Sequence, residues 1–248
     1  MYIHNFSAGP CILPKSVMEK AAESVVNYNN TGLSIIEMSH RSKDFVAVMD
    51  KAVSLVKELM DIPDNYDVIF LQGGASTQFY MTALNLLPLD GKGAYINTGT
   101  WADKAIKEAK LLGNIDVIAS SKDKNFNYIP KDISIPNDAS YLHYTTNNTI
   151  FGTQFKSIPE TNIPVVADMS SDILSKPVDV SKFDLIYAGV QKNIGPSGAT
   201  LVIVKKGILG KTGRTLTSMM DYQVHIDKES MFNTPPCFSI YVSMLTME

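Results

Sequence analysis

The chain is poor in the residues from which several kinds of site are built: its 248 residues include two cysteines, four histidines and one tryptophan. Cys11 and Cys237 stand far apart in sequence, without the C-x-x-C spacing of a zinc or redox site. They read as ordinary reduced thiols rather than as a disulfide framework. His4, His143 and His225 have no partners at metal or triad spacing and read as structural or exposed side chains. Positive charge is not concentrated anywhere: Lys and Arg total 22 against 25 Asp and Glu, a net charge of −3. A nucleic-acid partner therefore has no electrostatic support. Nowhere do the roughly 18 apolar residues of a spanning helix run together. The opening MYIHNFSAGPCILPKS lacks the basic start and unbroken apolar stretch of a signal peptide. A cytoplasmic chain with no membrane partner is expected.

What is present is an alternation of short apolar runs and amphipathic stretches, in a composition that is 45% hydrophobic and so able to build a sizeable core. LPKSVMEKAAESVVNY, with Pro14 at a first-turn position, and SKDFVAVMDKAVSLVKELM, opening at Ser42, predict two helices. DVIFLQ, the pair Gly73-Gly74 and STQFYMTALNLL predict a strand, a glycine turn and a helix. GAYIN, WADKAIKEAKLL, IDVIA, YLHYT, PVVAD and DLIYAG continue the pattern, each strand nearly continuously apolar. The fold class is α/β, a mostly parallel sheet with helices on both faces. VQKNIGPS is too short for a parallel crossover, so ATLVIV is expected to run antiparallel and the sheet to be mixed. No repeat, low-complexity tract or linker interrupts the chain. FSIYVSMLTME predicts an amphipathic helix with no stop signal after it, as if the sequence were cut within an element.

Open α/β sheets bind ligands at the carboxyl ends of their strands, so the residues that follow each apolar run are the candidates. Gly73 to Thr77 form a turn at a helix start, with backbone N–H groups, two hydroxyls and a positive dipole end suited to a phosphate. The same turn, read alone, also serves as a plain strand-to-helix joint. Asp168 ends an apolar strand, where a buried carboxylate needs a cationic partner; a protonated pyridine nitrogen would serve, and so would a turn-capping role. Lys192 sits in AGVQKNIGPSG among apolar residues and glycines, the setting of a nucleophilic amine that attacks an aldehyde. Trp101 could stack on a planar ring or simply fill core. His40-Arg41 lies between two predicted helices, where the guanidinium could clamp a carboxylate or phosphate or remain a surface charge.

NFSAGPCILP, EMSHRSKDF, FLQGGASTQF, VVADMSSDIL, YAGVQKNIGPSG and MFNTPPCFSIY occur in one order, and by these segments the chain resembles the phosphoserine aminotransferases. These are class-V aminotransferases of pyridoxal-phosphate fold type I, and the resemblance spans essentially the whole chain. It implies the large cofactor-binding domain over residues 16–248, preceded by an N-terminal segment over 1–15, and a chain that stops before the family's C-terminal small domain. That second domain, on the order of 100 residues, supplies another substrate-binding arginine in the family.

The resemblance also implies roles. Lys192 would be the lysine joined to pyridoxal 5'-phosphate and the proton shuttle, Asp168 the partner of the pyridine nitrogen, and Trp101 the stacking ring. Thr149 would lie near the phenolic oxygen. Ala75, Ser76 and Gln191 would contact the cofactor phosphate, and Asn233 and Thr234 would reach the phosphate of the neighbouring subunit in a homodimer. His40 and Arg41 match the segment that binds substrate phosphate or the carboxylates of glutamate. Some family members carry an arginine where this chain has Ser76. The implied reaction exchanges an amino group between glutamate and 3-phosphohydroxypyruvate in serine biosynthesis, with a phosphorylated threonine precursor of pyridoxine as a further substrate. Alternatives are another fold-type-I enzyme or a module that binds cofactor and dimerises without turnover. A cysteine desulfurase is disfavoured because neither cysteine lies in a recognisable catalytic loop.

Overall fold

The computed structural model describes residues 3–248; the first two residues of the 1–15 segment, and of the opening MYIHNFSAGPCILPKS, lie outside them. Helix α1 (Lys15–Asn27) starts directly after Pro14, which holds the N-cap position and loses no helical hydrogen bond there. Helix α2 (Lys43–Leu59) is capped by Ser42, whose hydroxyl accepts from the Phe45 N–H at 3.3 Å. Its buried residues Phe45, Val48, Met49, Ala52, Leu55 and Val56 follow helical spacing and make one apolar stripe.

From there strands and helices alternate: β1 (Tyr66–Leu71), α3 (Gly74–Leu86), β2 (Lys92–Asn97), α4 (Thr100–Lys110), β3 (Asn114–Ser120) and β4 (Leu142–Thr145). A small hairpin of β5 (Asn147–Asn148) and β6 (Thr153–Gln154) precedes β7 (Val165–Asp168), β8 (Leu185–Gly189) and β9 (Thr200–Lys205). The chain then forms α5 (Tyr222–Asp227) and α6 (Cys237–Met247). Seven strands make one sheet in the order β1-β9-β8-β7-β4-β2-β3. Strands β8, β7, β4, β2 and β3 pair in parallel, and β9 is antiparallel to both its neighbours. The connection 190–199 is too short to cross a sheet face, so β9 folds straight back with Gly189 opposite Thr200. The mixed sheet expected from the sequence is the one observed.

Side chains alternate across the sheet and build two cores. Phe70, Ile96, Leu142, Ala167, Ile186 and Ile203 face the layer of α1, α2 and α6. Leu71, Tyr95, Val166, Leu185, Tyr187 and Val202 face α3, α4 and α5. Helix α6 departs from the amphipathic expectation: residues 239–245 are all buried, as is Met247. Its polar positions point inward and find acceptors there. Ser239 Oγ donates to Pro196 O at 3.1 Å, Ser243 Oγ to Ser239 O at 2.8 Å and Thr246 Oγ1 to Val242 O at 2.9 Å. A hydroxyl bonded to a backbone carbonyl can be buried at little cost, so the serines that mimic a solvent face belong to the core. Among the described residues no helix is long and apolar enough to cross a membrane.

Candidate active site

The carboxyl ends of β2, β4, β7 and β8 lie on one edge of the sheet because these strands are parallel, and β1, twice reversed through β9, points the same way. That edge gathers Ala75, Ser76, Trp101, Thr149, Asp168, Gln191 and Lys192 around one cavity of about 250 Å3. Thr145, Asn147, Ser170, Ser171 and Phe79 line it as well. The first two close β4 and open the hairpin. Their one signal in the sequence is that Thr145 ends the apolar run YLHYT and Asn147 follows it closely.

At one end of the cavity, Gly73 (φ 88°) and Gly74 (φ 65°) turn the chain from β1 into α3. Both angles lie in the left-handed region that suits glycine, and a Cβ on Gly73 would collide with the Thr77 side chain. Thr77 Oγ1 donates to Gly73 O at 3.0 Å and closes the turn. No side chain caps the first turn of α3, so its leading N–H groups and positive dipole end face the cavity without an internal partner.

Asp168 is the last residue of β7 and is 3% exposed. Its Oδ1 accepts from the Ser170 N–H at 3.0 Å, and among the described residues it makes no ion pair. Burial pushes this carboxyl up to about 6; hydrogen bonds from Ser170 and the charge of Lys192 oppose the rise, and Asp172 adds to it. Thr145, opposite Asp168 in the β4–β7 register, has a buried Oγ1 with no hydrogen-bond partner. A buried acid lacking a cation and an unpaired hydroxyl beside it are the groups that a protonated pyridine with ring oxygens would satisfy. The residues present fit pyridoxal phosphate.

Beneath Asp168 the floor is polar but neutral. Tyr187, opposite Asp168 on β8, shares a 2.8 Å hydrogen bond with His143 Nε2, and the His143 ring stacks on Tyr95 at 4.7 Å. Tyr95 and Tyr141 share a 2.8 Å hydroxyl contact, and Tyr222 donates to Gln78 Oε1 at 2.5 Å. Burial brings His143 down to about 3 and raises Tyr95 and Tyr187 well above their ordinary value, so the layer carries no charge at neutral pH.

Lys192 sits in the turn that leaves β8. Ile194 N–H and Gly195 N–H both bond to Val190 O, at 3.0 and 2.9 Å, and Asn193 Nδ2 donates to Ile173 O at 2.7 Å. Trp101 opens α4 beyond the end of β2, with Lys104 Nζ 4.5 Å from its ring centroid. Thr149 occupies the turn between β5 and β6. The hairpin is anchored by Thr146 Oγ1 donating to Asp172 Oδ1 at 2.5 Å and by Asn147 Nδ2 donating to Ser171 Oγ at 2.9 Å.

Four predicted site residues do not line this cavity. His40 is buried, with Nε2 unpartnered; desolvation and then the Arg41 charge hold its pKa below the ordinary value. Arg41 is exposed and makes no ion pair among the described residues. Asn233 lines a separate cavity of about 290 Å3 that meets the first at Gly73. Thr234 is exposed, and its carbonyl accepts from Gln72 Nε2 at 2.5 Å.

The aminotransferase class-V family model matches residues 3–248. The chain is 62% identical over 246 residues to the phosphoserine aminotransferase of Flavobacterium psychrophilum, covering 99% of this chain and 69% of that one. Among solved structures, it resembles phosphoserine aminotransferase from Bacillus circulans subsp. alkalophilus with a TM-score of 0.94 and 46% identity, over 98% of this chain and 68% of that chain. It also resembles pyridoxal-phosphate-bound phosphoserine aminotransferase from Trichomonas vaginalis, with a TM-score of 0.93 and 33% identity, over 99% of this chain and 70% of that chain.

Proposed function

The chain belongs to the class-V aminotransferases, among the phosphoserine aminotransferases, and on that premise we propose that it moves the amino group of L-glutamate onto 3-phosphohydroxypyruvate. The products are 2-oxoglutarate and O-phospho-L-serine, and the transfer is reversible. The meeting of Lys192 with a buried Asp168 that makes no ion pair among the described residues, beside an uncapped helix start, supports this reading best.

Pyridoxal 5'-phosphate, when bound, supplies an aldehyde carbon for the amino group and a cationic ring that accepts the electrons left when the α-proton departs. Asp168 would hold the proton at the ring nitrogen, and a cation there would bring its carboxyl back down toward the ordinary carboxylate range. The backbone N–H groups at Ala75 and Ser76, the Ser76 hydroxyl and the Gln191 side chain would hold the phosphate. Trp101 would hold the ring by stacking, and Thr149 would hold its phenolic oxygen. Lys192 would supply the amine that secures the cofactor and, once freed, the base that accepts the substrate's α-proton and returns it. The same groups, run in reverse with the keto acid, complete the exchange.

His40 and Arg41 bind the anionic ends of the substrates. Asn233 and Thr234 serve the phosphate site of a neighbouring subunit in a homodimer, a reading supported by their position off the chain's own cavity. Residues 16–248 act as the cofactor-binding unit in the cytoplasm, and the phosphorylated threonine precursor of pyridoxine is a second substrate. To test the function, the purified chain is mixed with pyridoxal phosphate, then glutamate, then 3-phosphohydroxypyruvate. A visible band, release of 2-oxoglutarate and formation of phosphoserine are expected in turn. A stable band without 2-oxoglutarate would reduce the chain to a cofactor-binding module, and no band from a folded chain would reject the site.

A further inference from the structure

Gly9 lies against the side chain of Lys192, from which it is separated by most of the sequence. A Cβ added to Gly9 would stand 2.5 Å from the lysine Cδ and 2.9 Å from its Cε, closer than packed carbon atoms approach. Glycine is therefore what lets the backbone of the leading segment touch the alkyl stem. The segment is tied at that point: the Cys11 N–H donates to Gln191 O at 3.2 Å, and the Cys11 thiol contacts the same oxygen at 3.6 Å. Residues 3–10 are exposed, so no core of their own holds them. From the other side, α6 braces the Lys192 turn through Ser239 Oγ on Pro196 O at 3.1 Å and through Ser243, which a Cβ on Gly195 would strike.

We propose that Gly9 is a positioning residue: its backbone bounds the alkyl stem of Lys192 and sets the direction from which Nζ meets the aldehyde carbon. The proposal rests on the function given above. In the linking step the Nζ lone pair forms a bond to the aldehyde carbon, the carbonyl oxygen departs as water, and that water carries away the two protons lost from the amine. A four-carbon stem free to wander presents Nζ in many directions, and a misplacement of about 1 Å can cost on the order of 100-fold in rate.

Two variants of the full chain test this: Gly9→Ala, which inserts a methyl group into the contact, and a chain in which the initiator Met directly precedes Pro10, which removes the contact without a clash. The rate at which cofactor-free protein takes up pyridoxal phosphate is followed by the visible band, with borohydride trapping and peptide mass analysis to locate the link. Visible circular dichroism per unit absorbance reads the geometry of the linked ring, and melting of cofactor-free protein monitors the fold. Both variants are expected to link at Lys192 at least about tenfold more slowly. Their dichroism ratio is expected to change while cofactor-free melting matches the unaltered chain. Unaltered linkage and dichroism in both would overturn the proposal. So would a defect confined to Gly9→Ala, since glycine would then only avoid a clash, and should that variant fail to fold, the shortened chain decides. An unaltered chain that forms no band would sink the function itself, an outcome distinct from these.

Discussion

The two faces of the sheet are built from the same strands and carry different chemistry. Toward α1, α2 and α6 the inward positions are mainly aliphatic. Tyr66 is among the exceptions, and its hydroxyl is satisfied by Phe183 O at 2.7 Å. Toward α3, α4 and α5 the same strands present Tyr95, His143, Asp168 and Tyr187, stepping inward from the cavity to a hydrogen-bonded aromatic floor. One residue of offset along a strand separates a face that supplies stability from a face that supplies chemistry. Burial holds His143, Tyr95 and Tyr187 on the second face neutral and raises Asp168 to about 6, and a cation placed at its rim would bring that carboxyl back down.

The sharpest break in this contrast is at the rim. Lys192→Ala should abolish the trapped link to the cofactor and lower amino transfer on the order of 10^4-fold or more, with little change in cofactor-free melting. Assays of transfer and calorimetry on one preparation check it. On the aliphatic face, Ile203→Ala in the centre of β9 should cost roughly 2–5 kcal/mol of stability, measured by urea unfolding. The visible band should survive at temperatures where the variant stays folded.

Asp168→Asn should slow transfer and change the pH dependence of stability. In the cofactor-free chain the folded carboxyl is raised from 3.8 to about 6, so its favourable contribution is full below the lower value and fades as pH rises through the upper one. The window is worth about 3 kcal/mol. His143 runs the other way: lowered from 6.5 to about 3, it contributes stability above 6.5 that is lost as pH falls. Asp168→Asn should therefore lose stability more steeply than the unaltered chain between pH 6 and pH 4. Parallel slopes would contradict the buried, uncompensated acid. The smallest effect is expected from Tyr187→Phe, which strips His143 Nε2 of its partner: a cost of roughly 1–3 kcal/mol in unfolding and a modest loss of transfer.

Much of this second face was legible as local pattern. Asp168, Thr149 and Lys192 each follow an apolar run, and strands buried on both sides announce themselves by such runs. The reversal of β9 could be read from the shortness of VQKNIGPS. The hairpin of β5 and β6 was not legible, because two-residue strands have no period and this pair is held by side-chain bonds to Asp172 and Ser171. Nor was the inward turn of Ser239 and Ser243, since a serine bonded to a carbonyl, across the fold to Pro196 or one helical turn back to Ser239, looks in sequence like a solvated one. Thr145 was passed over because the sequence marks a strand's end without showing which hydroxyl there lacks a partner.

By itself the sequence determined the order of the main strands and helices, the mixed sheet, the glycine turn at α3 and the identity of the groups at the strand ends. Each of these follows from short-range sterics and the spacing of apolar residues. Only the tertiary structure decided that Asp168 is buried without a cation, that His40, Arg41, Asn233 and Thr234 stay off the chain's own cavity, and that Gly9 closes on Lys192. Burial, pairing and contact between distant segments are properties of how layers pack, and no stretch of chain carries them alone.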